Sequence, residues 1–357
     1  MNRKSEQIDN SSRIYWIDVA RSLAIICVIL CHSVEGVYPL DIHSILALSF
    51  QARLFVFTLM LVGRLGVPIF LVLTGYLLLN RSYNVQESIN FWKHKCIPLL
   101  ITTEIWIFIY WAFSGCNNGQ LKFENLIREL LFLKNTEINH LWYMPMILGI
   151  YMFIPFIANA VHQFTNKILW IIWGIVVIYL FLLPFINIFL VFNGEEGITN
   201  QLNLSYSGEI YGVYLTLGYL ISQKRYNLQL YKCISGAVII LSIAIGIQNY
   251  FYINELEYKY WYDSIFILGL TICVVFALIQ LRKIPWDRLF TCIAKSSFGI
   301  YLMHNIILTQ MLQIMPITMD RILKVVLVTV LSFVVSLGVV MVIAQVPKIR
   351  KVLFFMK

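Results

Sequence analysis

Charge is what this chain has least of. Only 13% of its 357 residues are Asp, Glu, Lys or Arg, 60% are hydrophobic, and the mean hydropathy is +0.78. A soluble globular domain is roughly a quarter charged and nearer half apolar, so composition excludes an ordinary soluble enzyme. Paired cysteine spacing is missing too. Of the seven cysteines, Cys27, Cys31, Cys233 and Cys273 sit inside apolar runs, where a thiol packs as a small hydrophobe. Neither a disulfide framework nor a metal site is expected. The polar head lacks a following small-residue cleavage site, so no cleavable signal is expected. No internal repeat and no soluble domain stands out. The net charge of +9 is assigned to cytoplasmic loops of a membrane protein, not to nucleic-acid binding.

What remains is hydrophobic run after hydrophobic run. A helix of about twenty apolar residues crosses a bilayer, and the length accommodates about ten of them: an all-α, polytopic bundle. The expected spans begin with 17–33, then 54–79 with an interfacial entry at Arg53, 97–113, 141–158 and 168–192. They continue through 208–222, 233–252, 263–281, 290–314 and 322–346. Residues 35–44 read as a short polar loop, and 121–133 as an amphipathic surface helix with Glu124 and Arg128 paired at i,i+4. The expected organisation is one domain over 1–357, with a cytoplasmic head 1–16, spans over 17–346 and a cytoplasmic tail 347–357. With the N-terminus inside, cytoplasmic segments carry 17 Lys plus Arg and outer loops five. That bias predicts both termini in the cytoplasm.

The first span is anomalous. It carries Asp18, Arg21 and His32, although an ionised side chain at mid-membrane costs about 2.5–3.5 kcal/mol on insertion scales. Eleven residues turn a helix by about 1100°, three turns plus roughly 20°, and raise it about 16 Å. Arg21 and His32 therefore share a face, with Asp18 within about 60° of it. Such a stripe lines either a packed polar core or a water-filled cavity. An imidazole can move a proton to and from a hydroxyl, or carry an acyl group itself. The competing structural reading of His32 is a polar packing contact. Arg21 offers a planar cation for phosphate or an oxyanion, or else it snorkels or pairs with Asp18. Asp18 either orients Arg21 or sits at the helix start, where the dipole favours it.

Other candidates are spread along the chain. Arg64 lies inside the second span and needs a partner, for which Glu104 is the candidate. Lys93 and Lys95, with Arg81, attract phosphates or anionic headgroups. Trp142 and Tyr143 suit an interfacial belt or a binding surface. His304 falls towards the outer end of the ninth span. His43, His94, His140 and His162 are read as solvated or interfacial.

Read together, these pieces resemble the acyltransferase-3 family of bacterial integral-membrane acyltransferases. The matching stretches run in order. They are Asp18-x-x-Arg21 with His32-Ser33, Gly66-Val-Pro-Ile-Phe70, Thr74-Gly75-Tyr76, the basic segment before Pro98, Leu141-Trp142-Tyr143 and Tyr301-Leu-Met-His304. Thr74 stands where the family usually has Ser, and Lys93-His94-Lys95 lacks a clean Arg-x-x-Arg. The resemblance implies an O-acetyltransferase in the plasma (inner) membrane. It would move acetyl from acetyl-CoA, without a metal, to a hydroxyl of a cell-surface polysaccharide or lipid-linked sugar. It implies Arg21 and His32 as the essential pair. Residue chemistry adds Asp18 to the catalytic group, and sets Arg21, Arg64, Lys93 and Lys95 as the expected donor contacts. Trp142, Tyr143 and His304 are then the expected acceptor-binding residues. The alternative is a polysaccharide or small-molecule exporter, since polar residues inside a helix bundle also suit a translocation path. Oligomeric state is not legible.

Overall fold

The structure is a computed structural model describing residues 15–118, 122–134, 139–223, 228–281 and 286–356. Most of the expected cytoplasmic head, Leu121 of the surface helix, and Lys224, Arg225, Arg282 and Lys283 of the basic loops lie outside the described residues. The described chain is helical, with no strand among the described residues. Its helices are α1 (Tyr15–Val37), α2 (Ile42–Leu46), α3 (Phe50–Gly63), α4 (Gly66–Leu78), α5 (Val85–Phe91) and α6 (Ile97–Asn118). They continue with α7 (Phe123–Leu130), α8 (Tyr143–Val161), α9 (Asn166–Val177), α10 (Leu183–Phe192), α11 (Glu209–Ser222) and α12 (Leu230–Ile253). The last four are α13 (Ile265–Ile279), α14 (Asp287–Ile314), α15 (Arg321–Ile343) and α16 (Pro347–Leu353).

Among the described residues, seven helical stretches are long and apolar enough to cross a membrane. They are Tyr15–Val37, Phe50–Leu78, Val85–Gly115, His140–Val161, Asn166–Phe192, Leu230–Ile253 and Arg321–Ile343. The remaining three expected spans are occupied by α11, by the shorter apolar α13 and by the long, more polar α14. The protein is an all-α polytopic bundle.

Burial sorts the helices into an inside and an outside. In the first two spans 72% of the apolar window is enclosed by protein, against 11% for Asn166–Phe192 and for Leu230–Ile253. The outer helices turn bare Ile and Val outward, as at Ile171, Ile172, Val238 and Ile239. That is what a lipid-facing surface requires. The span that carries ionisable residues is thus the one withdrawn from lipid. α1 packs against α3, α4, α14 and α15.

Small residues set how tightly the centre closes. α4 and α11 cross where Gly75 meets Gly218: a Cβ on Gly75 would stand 1.8 Å from the Leu215 carbonyl oxygen, and one on Gly218 2.0 Å from that of Val72. Only bare backbone permits this approach. Two local details differ from the sequence reading. The second span is not one tilted helix, because the chain breaks between α3 and α4 at Arg64 and Leu65. Glu35 is not in a loop, because α1 runs on to Val37 and carries Glu35 in its last turn. The expected surface helix is present as α7, with Arg128 on Glu124 at 2.6 Å.

Candidate active site

The stripe on α1 meets two different environments. At its lower end Asp18 is buried and its Oδ2 accepts a hydrogen bond from Thr291 Oγ1 at 3.0 Å. Ser22 ties the same turn to α14 by donating to the Phe290 carbonyl at 3.2 Å. Arg21 faces a cavity of about 550 Å³, inside the range of about 300–1,000 Å³ that small-molecule sites occupy. Four cations border it: Arg21, Arg81, Lys95 and Lys295. No Asp or Glu is among its described lining residues. Much of the remaining wall is apolar, through Phe70, Leu73, Leu77, Leu99, Ile147 and Phe298.

Part of that wall comes from the segment after α15. Phe354 is fully buried, and Phe354, Phe355 and Met356 all face the cavity. Two hydrogen bonds from α6 hold this segment. Thr102 Oγ1 donates to the Val352 carbonyl at 2.8 Å, and Trp106 Nε1 to that of Leu353 at 2.7 Å.

Val28, Val67, Tyr143 and Tyr301 line the large cavity and also an adjoining chamber of about 10 Å³. His32 and His140 are on the chamber's wall. His32 Nδ1 lies 2.9 Å from Glu35 Oε2, and the other carboxylate oxygen, Oε1, accepts from Arg64 at 2.6 Å. A carboxylate only accepts, so Nδ1 carries a proton and, in the neutral ring, Nε2 is the nitrogen with the lone pair. Arg64 is held in turn by the Trp261 ring, 4.2 Å from its guanidinium carbon, and by the Tyr262 side chain. Burial pushes the Tyr262 phenol up, the Arg64 charge offsetting part of this, so the phenol stays protonated.

Two further imidazoles surround His32. Its ring centroid lies 5.5 Å from that of His304 and 6.2 Å from that of His140, and those two are 5.1 Å apart. His304 is fully buried, and its Nδ1 donates to the Tyr301 carbonyl at 2.6 Å. Tyr301 donates its hydroxyl to the His140 carbonyl. No group of His, Cys, Asp or Glu among the described residues is arranged to hold a metal ion.

The residues named from sequence therefore divide. Arg21, Lys95 and Tyr143 line the large cavity, and His32, Trp142 and Tyr143 the chamber. Trp142 also lies in an aromatic cluster with Tyr211, Trp261 and Tyr262. Lys93 is exposed and borders neither space. Arg64 borders neither as well, and its partner is Glu35, not Glu104, which is half-buried on α6. His304 packs behind His32, off both walls. Sequence reasoning missed Glu35, Lys295 and His140. Glu35 stands at i+3 from His32 on the same helix. That spacing was readable, had the helix been carried one turn further.

A family model for an acyltransferase domain, that of the acyltransferase-3 family, matches residues 14–344. No curated protein and no solved structure is matched by this chain. The match covers nearly the whole sequence, and the chain belongs to the acyltransferase-3 family. It is a multi-pass membrane acyltransferase.

Proposed function

We propose that the protein is an O-acetyltransferase taking acetyl from acetyl-CoA to a hydroxyl of a cell-surface polysaccharide or lipid-linked sugar. The observation that carries the reading is the ordered chain Arg64–Glu35–His32, whose His32 lines a small chamber that shares Val28, Val67, Tyr143 and Tyr301 with the cation-bordered cavity. The residues suit such a donor. Arg21, Arg81, Lys95 and Lys295 would take its phosphates, and the apolar wall of the cavity would take the uncharged arm. The donor supplies an activated acyl carbon.

The rest of the chemistry belongs to side chains. Glu35, fixed by Arg64, presents His32 with Nε2 free to accept a proton from the acceptor hydroxyl. As the ring becomes cationic, the carboxylate 2.9 Å away stabilises it. General-base help of this kind is worth about 10²–10⁴-fold in rate. Arg21 sits about 16 Å along the helix from His32, too far to touch the same atom, so it holds the far end of the donor and not the reacting carbonyl. Asp18, bonded to Thr291, fixes the first turn of α1 on α14 and positions Arg21. The positive side of the cavity lies towards the cytoplasm, where coenzyme A is supplied, with both termini on that side. The whole arrangement constitutes one domain in the bacterial plasma membrane.

The test compares wild type, His32→Ala and Arg21→Ala at equal membrane abundance, supplying labelled acetyl-CoA and scoring label on glycan. Both alanine variants should transfer little or no label. Wild-type label in His32→Ala removes the base assignment. An exporter, by contrast, would move glycan across sealed vesicles without labelling it.

A further inference from the structure

The chamber holds a second imidazole whose tautomer is the reverse of that of His32. His140 is 1% exposed. Its Nδ1 lies 3.1 Å from the Asn305 side-chain nitrogen, and the Asn305 oxygen accepts from Thr309 Oγ1 at 3.3 Å. An amide nitrogen can only donate, so His140 Nδ1 is the acceptor and its proton is on Nε2. That Nε2–H is buried and has no protein partner. Leaving a buried polar atom unsatisfied costs about 1–3 kcal/mol, which native structures accept where the atom has work to do. The ring is fixed from several sides. Tyr110 lies edge-on at 4.9 Å, Tyr301 donates to the His140 carbonyl, and the residue lies within the short turn Asn139–Trp142 that leads into α8.

The geometry points to His140 as a further catalytic residue: its Nε2–H is the hydrogen-bond donor for the acyl oxygen while His32 handles the proton. This rests on the acyltransfer reading above. The chamber wall shared by His32 and His140 encloses about 10 Å³, roughly the space of one oxygen-sized probe. The chamber is thus lined both by His32, whose Nδ1 is the protonated nitrogen towards Glu35, and by His140, whose Nε2–H has no protein partner. A base and a hydrogen-bond donor are the two functions that acyl transfer to a hydroxyl requires.

The acceptor oxygen forms a bond to the acyl carbon and passes its proton to His32 Nε2. The carbonyl π pair moves onto oxygen, where the His140 N–H receives it. The pair then returns, the carbon–sulfur bond breaks, and the departing sulfur takes the proton from His32. The products are the ester and the free thiol. No other co-reactant is needed.

Removing one donor of this kind costs about 10²–10³-fold in kcat. His140→Phe keeps a ring of similar size and deletes the N–H, so kcat should fall by about that factor while the KM for donor stays within about twofold. His140→Gln restores an N–H at similar reach and should recover at least about tenfold of the loss. Asn305→Leu frees the ring to take either tautomer and should cost kcat less than His140→Phe does. All are compared with wild type and His32→Ala at matched thermal transitions in detergent. Should His140→Phe lose its fold, the Gln and Leu variants carry the test. His140→Phe as fast as wild type, or Gln no better than Phe, overturns the assignment. If His32→Ala is inactive while the His140 variants are unaffected, this inference alone fails. If His32→Ala is active, the acyltransfer reading of the site fails with it.

Discussion

Glu35→Gln is the substitution that probes the site most sharply. It keeps the size of the side chain and an oxygen for Arg64, but removes the charge facing His32. At 2.9 Å, a unit pair interacts by about 6 kcal/mol at an effective dielectric of 20 and about 1.4 kcal/mol in water. The Glu35 side chain is 33% exposed and that of His32 19%, so solvent screens much of this. A mid-range value of about 3 kcal/mol corresponds to roughly a hundredfold loss in kcat. The amide can also turn its N–H towards Nδ1 and select the wrong tautomer, which would deepen the loss. The assay is base-labile acetate on glycan, alongside thiol release by purified protein, at equal abundance. Arg64→Gln and the double variant Glu35→Gln/Arg64→Gln separate chemistry from folding. The double variant has no unpaired buried cation, so it should recover stability relative to Glu35→Gln while staying slow. A Glu35→Gln enzyme within threefold of wild type would show that the carboxylate does not serve His32.

Other outcomes follow from the same geometry. Arg81→Ala/Lys295→Ala should raise the KM for donor by about three- to tenfold with kcat little changed, because both cations border the cavity, both are exposed, and each exposed phosphate contact is worth up to about 1 kcal/mol. The rise should shrink with added salt. Gly218→Ala should destabilise the protein by about 1–3 kcal/mol in detergent unfolding, since its Cβ collides with the Val72 carbonyl. Gly246→Ala has open space around its Cβ and should leave the midpoint unchanged or slightly raised. Thr102→Val should cost about 1 kcal/mol by removing one anchor of the segment after α15, seen as faster proteolysis within 347–356.

Much of the bundle was legible because lipid imposes a simple rule: backbone must satisfy itself within helices, so long apolar runs are spans. The reading faltered where polarity and tertiary contact diverge. Residues 35–44 are polar, yet Glu35 stays helical because Arg64 and His32 hold its carboxylate against the bundle. His140 closes a long polar loop with no periodicity to mark it, and it is the packing of Tyr110 on α6 and of Tyr301, His304 and Asn305 on α14 that makes it buried. The break at Arg64 and Leu65 lies inside a continuous apolar run, so hydropathy gives no sign of it. Arg21 and His32, in contrast, were conspicuous from spacing alone, because ionisable residues within a span need an interior to face. Lys93 and Lys95 looked equivalent in sequence. The five-residue wide turn Trp92–Cys96 leaves one exposed and brings the other to the cavity.

The most direct measurement takes a single preparation of the His32→Ala protein and determines both equilibrium binding of acetyl-CoA and acetyl transfer. A cavity that holds the donor by its cations, with the base in the adjoining chamber, predicts near-wild-type affinity and transfer reduced by at least about a hundredfold. Near-wild-type transfer from that preparation would contradict the account.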